Sequence, residues 1–220
     1  MHKETVTPEL FKILQKLMTL EQLAPLRLVG GTAISLQMGH RKSLDIDLFC
    51  NEKLSKQTLI ASLQKNFENT QPFTTSYSVN TTINDIKVDI YDDWSIPFKK
   101  PVLNQEGVRL ANLEDLVAFK LTAITERREK KDYVDLFFLF NKFGAAKMLD
   151  QYKIYNPLLS SKSILFALRE IVTAEANKSV MPDMLLPFNW KQAIVSFESI
   201  SKEYFRTLQK PQNNKFGMSF

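Results

Sequence analysis

A single cysteine, Cys50, stands among 220 residues. One thiol excludes an internal disulfide framework and fits a reducing compartment. Histidine is nearly as scarce. His2 and His40 cannot build a histidine-rich metal site with that lone thiol, so any metal is expected to be a hard cation held by carboxylates. No apolar run approaches the roughly 20 residues that a membrane-spanning helix needs. Met1 to Pro8 lacks the basic-then-apolar layout of a secretory signal. A cytoplasmic protein without membrane association is expected. Internal repeats and low-complexity tracts are absent as well.

What is present suits a globular chain, long enough for one good core or for two small lobes sharing a cleft. The net charge of +5 is compatible with a polyanionic partner such as a nucleotide or nucleic acid, without specifying one.

Thr7-Pro8-Glu9 has the cap, proline and acid of a helix start, and Leu10, Ile13, Leu14, Leu17 and Met18 follow at helical spacing. A short strand is expected over 27–29, ended by Gly30-Gly31, then a helix over 32–38 with Gly39 as its cap. Residues 43–50 alternate strictly, which predicts a strand with Leu44, Ile46 and Leu48 on a core face and Asp45, Asp47 and Phe49 on the other. A helix is expected over 55–67, and strands over 73–81 and 85–91 with Asn84-Asp85 near the turn. Residues 94–108, broken by Pro97 and Pro101, read as loop or edge strand. Helices are expected over 112–128, 132–143, 146–153, 160–177 and 189–208, and the polar tail 209–220 as loose. The fold class is therefore α+β: a mixed strand–helix part over 1–110, then a helical part over 111–220.

Asp45 and Asp47 are the sharpest feature. Two residues apart on a strand, they share one side, and two anions so close raise each other's energy unless a cation lies between them. Mg²⁺ takes a few carboxylates plus phosphate oxygens, and two such ions can clamp phosphoryl chemistry. The bland alternative is a solvated strand face, although aspartate is disfavoured in strands. Asp89, with apolar Val88 and Ile90 beside it, is the natural third carboxylate, either as a metal ligand or as the residue orienting a nucleophile. Asp85, Asp92 and Asp93 compete with it.

Gly30-Gly31-Thr32 lies between strand and helix, where the backbone can pass close to a ligand and free N–H groups can meet phosphate; Thr32 or Ser43 could add a hydroxyl. Diglycine alone is an ordinary turn, but strand–GG–helix–strand–DxD is far more specific. Lys120 falls inside the apolar stripe of Leu113, Leu116, Val117, Leu121 and Ile124. A core-facing lysine needs a partner, and a triphosphate, Asp135 and simple snorkelling all remain open. Asp132 and Asp135 suit the first turns of a helix through its dipole, and Asp135 is expected to be partly buried. The run from Arg127 to Lys131 reads more readily as a solvated turn than as a nucleic-acid patch, although it could serve as either.

Taken together, Leu28 to Ala33, Gly39-His40-Arg41, Ser43 to Phe49, Leu113 to Leu121, Lys131-Asp132 with Asp135-Leu136, and Met181 to Leu185 with Trp190 resemble the AbiEii/AbiGii toxin family of nucleotidyltransferases. This family sits within the DNA-polymerase-β-like superfamily. The resemblance implies Mg²⁺-dependent transfer of a nucleotide from an NTP to an acceptor hydroxyl. In some members the acceptor is the 3′ end of tRNA, and many are toxins with a cognate antitoxin or act in phage defence. It implies phosphate contacts from Gly30, Gly31, Ser43, Arg41 and Lys120 and metal ligation by Asp45 and Asp47. Asp135 would support catalysis or position Lys120, and Asp89 is less constant in the family. Nucleotidylation of a small molecule or protein, or nucleotide binding without catalysis, are the alternatives on the same fold.

Overall fold

The computed structural model describes residues 1–157 and 160–209. Thr7 caps α1 (Pro8–Thr19) by accepting from the Leu10 amide, and the predicted stripe of Leu10, Ile13, Leu14, Leu17 and Met18 is its buried face. β1 (Arg27–Leu28) leads into α2 (Gly30–Met38), which starts two residues earlier than expected because Gly30, at φ +67°, itself makes the first turn. Gly39 ends that helix in the left-handed conformation.

β2 is shorter than its alternation implied. It spans Ile46–Phe49, and Leu44 does not face the core but is 67% exposed. The chain before β2 is held by other partners: the Ser43 amide donates to the Thr5 carbonyl, and the Lys42 amide to that of Asp183. A residue outside the ladder has no obligation to alternate. The expected strand over 73–81 is two strands, β3 (Phe73–Thr74) and β4 (Ser78–Ile83), separated where the Thr75 hydroxyl accepts from the Tyr77 and Ser78 amides. α3 (Lys56–Asn66) precedes them. Asn84 and Asp85, both at positive φ, turn β4 into β5 (Ile86–Tyr91). Within 94–108, β6 (Leu103–Gln105) is an edge strand, but β7 (Val108–Leu110) is internal, parallel to β1.

Among the described residues these strands form one mixed sheet in the order β3-β4-β5-β2-β1-β7-β6, with β2 and β5 parallel. The helices that follow are α4 (Leu113–Glu126), α5 (Lys130–Phe143), α6 (Ala145–Tyr155), α7 (Ser161–Arg169), α8 (Ile171–Ala176) and α9 (Trp190–Gln209). The single helix expected over 160–177 is interrupted at Glu170, which leaves helical geometry at ψ 3°. A continuous apolar cluster runs from Val6 through the sheet to Tyr204, so the helices pack on the sheet without an intervening polar layer. Asp115, fully buried, ties the chain ahead of β6 to α4: its carboxylate accepts from the Lys99 and Lys100 amides and from the Tyr155 hydroxyl. Of the tail expected to be loose over 209–220, Gln209 is the last residue of α9 and 210–220 lie outside the described residues.

Candidate active site

The parallel register of β2 and β5 sets Asp47 directly beside Asp89, and Asp45 lies one residue before β2. Asp45 and Asp47 are half-buried; Asp89 is buried. Burial, the neighbouring Asp89 and, less strongly, Asp45 push the Asp47 carboxyl up to about 6, against the opposing charge of Lys120. Asp89 Oδ2 is 2.6 Å from Lys87 Nζ, whereas its buried Oδ1 has no hydrogen-bond partner among the described residues.

The diglycine turn lies under these acids. A methyl on Gly30 would overlap Asp47 Oδ2, and one on Gly31 would overlap the Arg41 guanidinium. Both positions therefore admit side chains from elsewhere to within contact of the backbone, a steric reason for two glycines that adds to any ligand approach. Thr32 does not line the cleft. It is 1% exposed, its hydroxyl donates to the Asp45 carbonyl, and it lies 2.8 Å from Ser43 Oγ, so it fixes the residues that do face the cavity.

Across the cleft, α4 and α5 carry a buried ionic network. Lys120 Nζ is 2.6 Å from Asp132 Oδ1 and 2.7 Å from Asp135 Oδ2. Arg41 donates to both oxygens of Asp135, at 2.6 and 2.9 Å, and from Nη1 to the Lys42 carbonyl. His40 Nε2 is 2.7 Å from Asp135 Oδ1, and Arg127 Nε donates to Asp132 at 2.8 Å. Burial alone would raise Asp135, but Arg41 and Lys120 hold it well below the usual carboxylate range. Burial would likewise depress Lys120, yet Asp132 and Asp135 raise it above an ordinary lysine. Lysine 120 thus stays charged, and two acceptors leave one of its three donors available.

Two adjoining cavities meet at this point, and Gly30, Asp45, Asp47, Lys120, Arg127 and Lys131 line both. The larger, about 820 Å³, also reaches Gly31, Arg41, Lys42, Ser43, Lys130 and the segment from Ser179 to Asp183. The smaller, about 390 Å³, reaches Asp89 and the rings of Phe49, Tyr91, Trp94 and Phe119. The 179–186 segment straps the entrance: the Leu185 amide donates to the His40 carbonyl, and Arg41 bridges Met184.

The structure brings Asp45, Asp47, Asp89, Gly30, Gly31, Arg41, Ser43 and Lys120 to the two adjoining cavities, and sets the fully buried Asp135 behind them, against Arg41 and Lys120. Sequence reasoning missed His40, the pairing of Asp132 with Lys120, and the cleft-facing Arg127, Lys130 and Lys131. The turn from Arg127 to Lys131, expected more readily as a solvated turn than as a nucleic-acid patch, lines the cleft with cations, Arg127 being drawn in by Asp132. His40 offered one signal, its place next to Arg41.

Among the described residues no three His, Cys, Asp or Glu side chains form a ready metal cage. The acid pair nevertheless fits a hard cation that takes one or two carboxylates and completes its shell with phosphate oxygens and water. Asp47 and Asp89 repel each other, and Asp89 Oδ1 has an unused lone pair.

Among the described residues no helix is long and apolar enough to cross a membrane. An uncharacterised protein of Aquifex aeolicus is 24% identical over 196 residues, covering 87% of this chain and 93% of that protein. The fold is shared with a solved structure from H. pylori described as a nucleotidyltransferase (TM-score 0.58, 18% identity, 90% of this chain and 92% of that one). It is shared too with ANT(2″)-Ia solved in complex with adenylyl-2″-tobramycin (TM-score 0.53, 18% identity, 69% and 98%). The family described as nucleotidyl transferase AbiEii toxin, type IV toxin–antitoxin system, matches residues 12–199. With that match spanning the acid pair, the diglycine turn and the ionic network alike, the chain belongs to the AbiEii family and is a nucleotidyltransferase.

Proposed function

We propose that this enzyme transfers a nucleotide from an NTP to a hydroxyl at an RNA 3′ end, tRNA being the first candidate, in a Mg²⁺-dependent reaction. One observation carries the reading: Asp47 stands against Gly30 at the diglycine start of α2, and Asp45 lines the same cleft together with a wall of lysines and arginines. Asp45 and Asp47 would hold Mg²⁺, with Asp89 beside them, and the ion or ion pair would supply charge neutralisation at the phosphates when bound. Residues 1–110 supply the acids, the turn, Arg41 and Lys42; the helical part that follows supplies Lys120, Arg127, Lys130 and Lys131.

The amides at the start of α2 and the Ser43 hydroxyl bind phosphate oxygens, and Lys120 adds its remaining donor. Lys42, Lys130 and Lys131 attract both polyanions. Arg41 spends three of its five N–H donors on Asp135 and the Lys42 carbonyl, so it holds Asp135 and through it Lys120 while keeping donors for a phosphate oxygen in the larger cavity. The acceptor oxygen attacks the α-phosphorus in line; the bond to the α,β-bridging oxygen breaks, pyrophosphate leaves, and Asp89 accepts the hydroxyl proton. The family's toxin description supports a growth-arresting role in the cytoplasm, neutralised by an antitoxin protein.

The test is labelling with each α-³²P NTP in turn, against total tRNA, other cellular RNA and small-molecule hydroxyl acceptors, with Asp47→Asn as the control. Label on RNA that vanishes in the variant is expected. Label on small molecules alone, or undiminished label with the variant, refutes the reading.

A further inference from the structure

We infer that the smaller cavity is a binding site for the base of the acceptor's terminal nucleoside, with Trp94 and Tyr91 as its recognition residues. This rests on the transfer reading above and adds to it what the acceptor must look like. The cleft is divided in two. Gly31, Lys42, Ser43 and Lys130 face only the larger cavity, so the triphosphate and departing pyrophosphate belong there. In-line displacement sets the attacking oxygen opposite the leaving group. With Asp45 and Asp47 between the two spaces, the acceptor hydroxyl comes from the smaller cavity, beside Asp89.

That cavity is built for a planar ring rather than for a polyhydroxylated one. Its wall is aromatic: Phe49 and Trp94 have ring centroids 4.3 Å apart, and Tyr91 packs edge-on to Phe49 at 4.9 Å. Such faces stack bases without regard to sequence. Trp94 Nε1–H is buried and has no acceptor among the described residues, so the ring is held by packing and not by a hydrogen bond of its own. The Trp94 backbone is meanwhile fixed. Its amide donates to the Cys50 carbonyl at 2.9 Å, and its carbonyl accepts from Asn51 Nδ2 at 2.7 Å. The ring is therefore presented by a loop anchored to the end of β2.

The experiment compares two short single-stranded oligoribonucleotides that differ only in the 3′-terminal residue, one with its base and one abasic, both retaining the ribose hydroxyls. Wild-type enzyme should label the abasic acceptor roughly 5- to 100-fold less efficiently, the range set by one base–aromatic stack. Trp94→Leu and Tyr91→Leu should narrow that ratio toward one by raising the KM for the intact acceptor, while the KM for NTP stays constant. Equal labelling of both acceptors, or a shift in NTP KM instead, overturns the proposal and leaves the transfer reading intact. If no RNA is labelled at all, the transfer reading fails. The cavity is then read in Trp190→Phe protein, whose remaining tryptophan is Trp94. Fluorescence quenching by the intact but not the abasic oligonucleotide supports the site, and no quenching by either sinks it. If Trp94→Leu does not fold, Tyr91→Leu carries the test, and Trp94→Phe, which keeps an aromatic face, should retain most of the ratio.

Discussion

The carboxylate of Asp47 lies against the α-carbon of Gly30, so that a methyl there would overlap Oδ2 and stand 3.0 Å from the carboxyl carbon. Gly30 also sits at φ +67°, where an L side chain costs roughly 1–2 kcal/mol. Gly30→Ala should therefore displace the acid rather than unfold the protein. The expected result is a loss of transfer of about 100-fold or more, with a stability loss of only ~1–2 kcal/mol by chemical denaturation. Gly31→Ala meets the end of the Arg41 side chain instead and should slow transfer less, acting through Arg41 and Asp135.

Features written in neighbouring residues were legible before the structure. Thr7-Pro8-Glu9 begins α1, Asn84-Asp85 turns the central hairpin, and Gly39 ends α2, each because cap and turn chemistry act within a few residues. The acid pair and diglycine turn were legible for the same reason. Leu44 misled because alternation counts only within a hydrogen-bonded strand, and the ladder begins at Ile46. The ionic network was only half visible. Lys120 advertised a need for a partner, but Arg41 and Asp135 lie 94 positions apart, and nothing local encodes their meeting.

Asp47 itself should show a measurable pH dependence of stability. Its carboxyl is raised from the ordinary 3.8 to about 6, so the protonated form favours the fold. That contribution is fully present below about pH 4 and is lost as pH rises through about 6. Without added divalent ion, Asp47→Asn should match wild type near pH 4 and exceed it by ~1–2 kcal/mol above pH 6.5, allowing for solvent screening of a half-buried group. Millimolar Mg²⁺ should raise the wild-type melting temperature at pH 7.5 and leave the variant's unchanged. Equal stability at both pH values would show that the acids do not repel.

Asp135 should behave in the opposite sense. It pairs with His40, Arg41 and Lys120 in a fully buried setting, and its carboxyl is held well below the usual range. Its stabilisation is present above the ordinary carboxylate pKa and lost as pH falls through the depressed one. Asp135→Ala strands buried cations and should cost ~3–5 kcal/mol at neutral pH, with the deficit shrinking in strong acid. Lys120→Met should cost less, because Asp132 keeps Arg127 and Asp135 keeps Arg41, while transfer falls at least 10-fold. Denaturant midpoints across pH and NTP-transfer rates would separate the two residues; equal stability losses would mean the network is held by Lys120 rather than by Asp135.

Lys87 gives a test of the acids as one electrostatic unit. Its ammonium lies 2.6 Å from Asp89 Oδ2 although most of its side chain is in solvent, and the pairing with Asp89 raises it above an ordinary lysine. Lys87 thus partly neutralises the trio of Asp45, Asp47 and Asp89, and from Oδ2 weakens the pull of Asp89 on a cation or acceptor hydroxyl at its free Oδ1. In Lys87→Met the cluster becomes more negative. Transfer should then reach half its maximum at roughly 2- to 5-fold lower Mg²⁺, a modest change because an exposed cation is screened. The melting temperature without divalent ion should fall, and its rise on adding Mg²⁺ should be larger than in wild type. A higher Mg²⁺ requirement would instead make Lys87 a substrate contact and would remove the neutralisation of Asp89 from the account of this site.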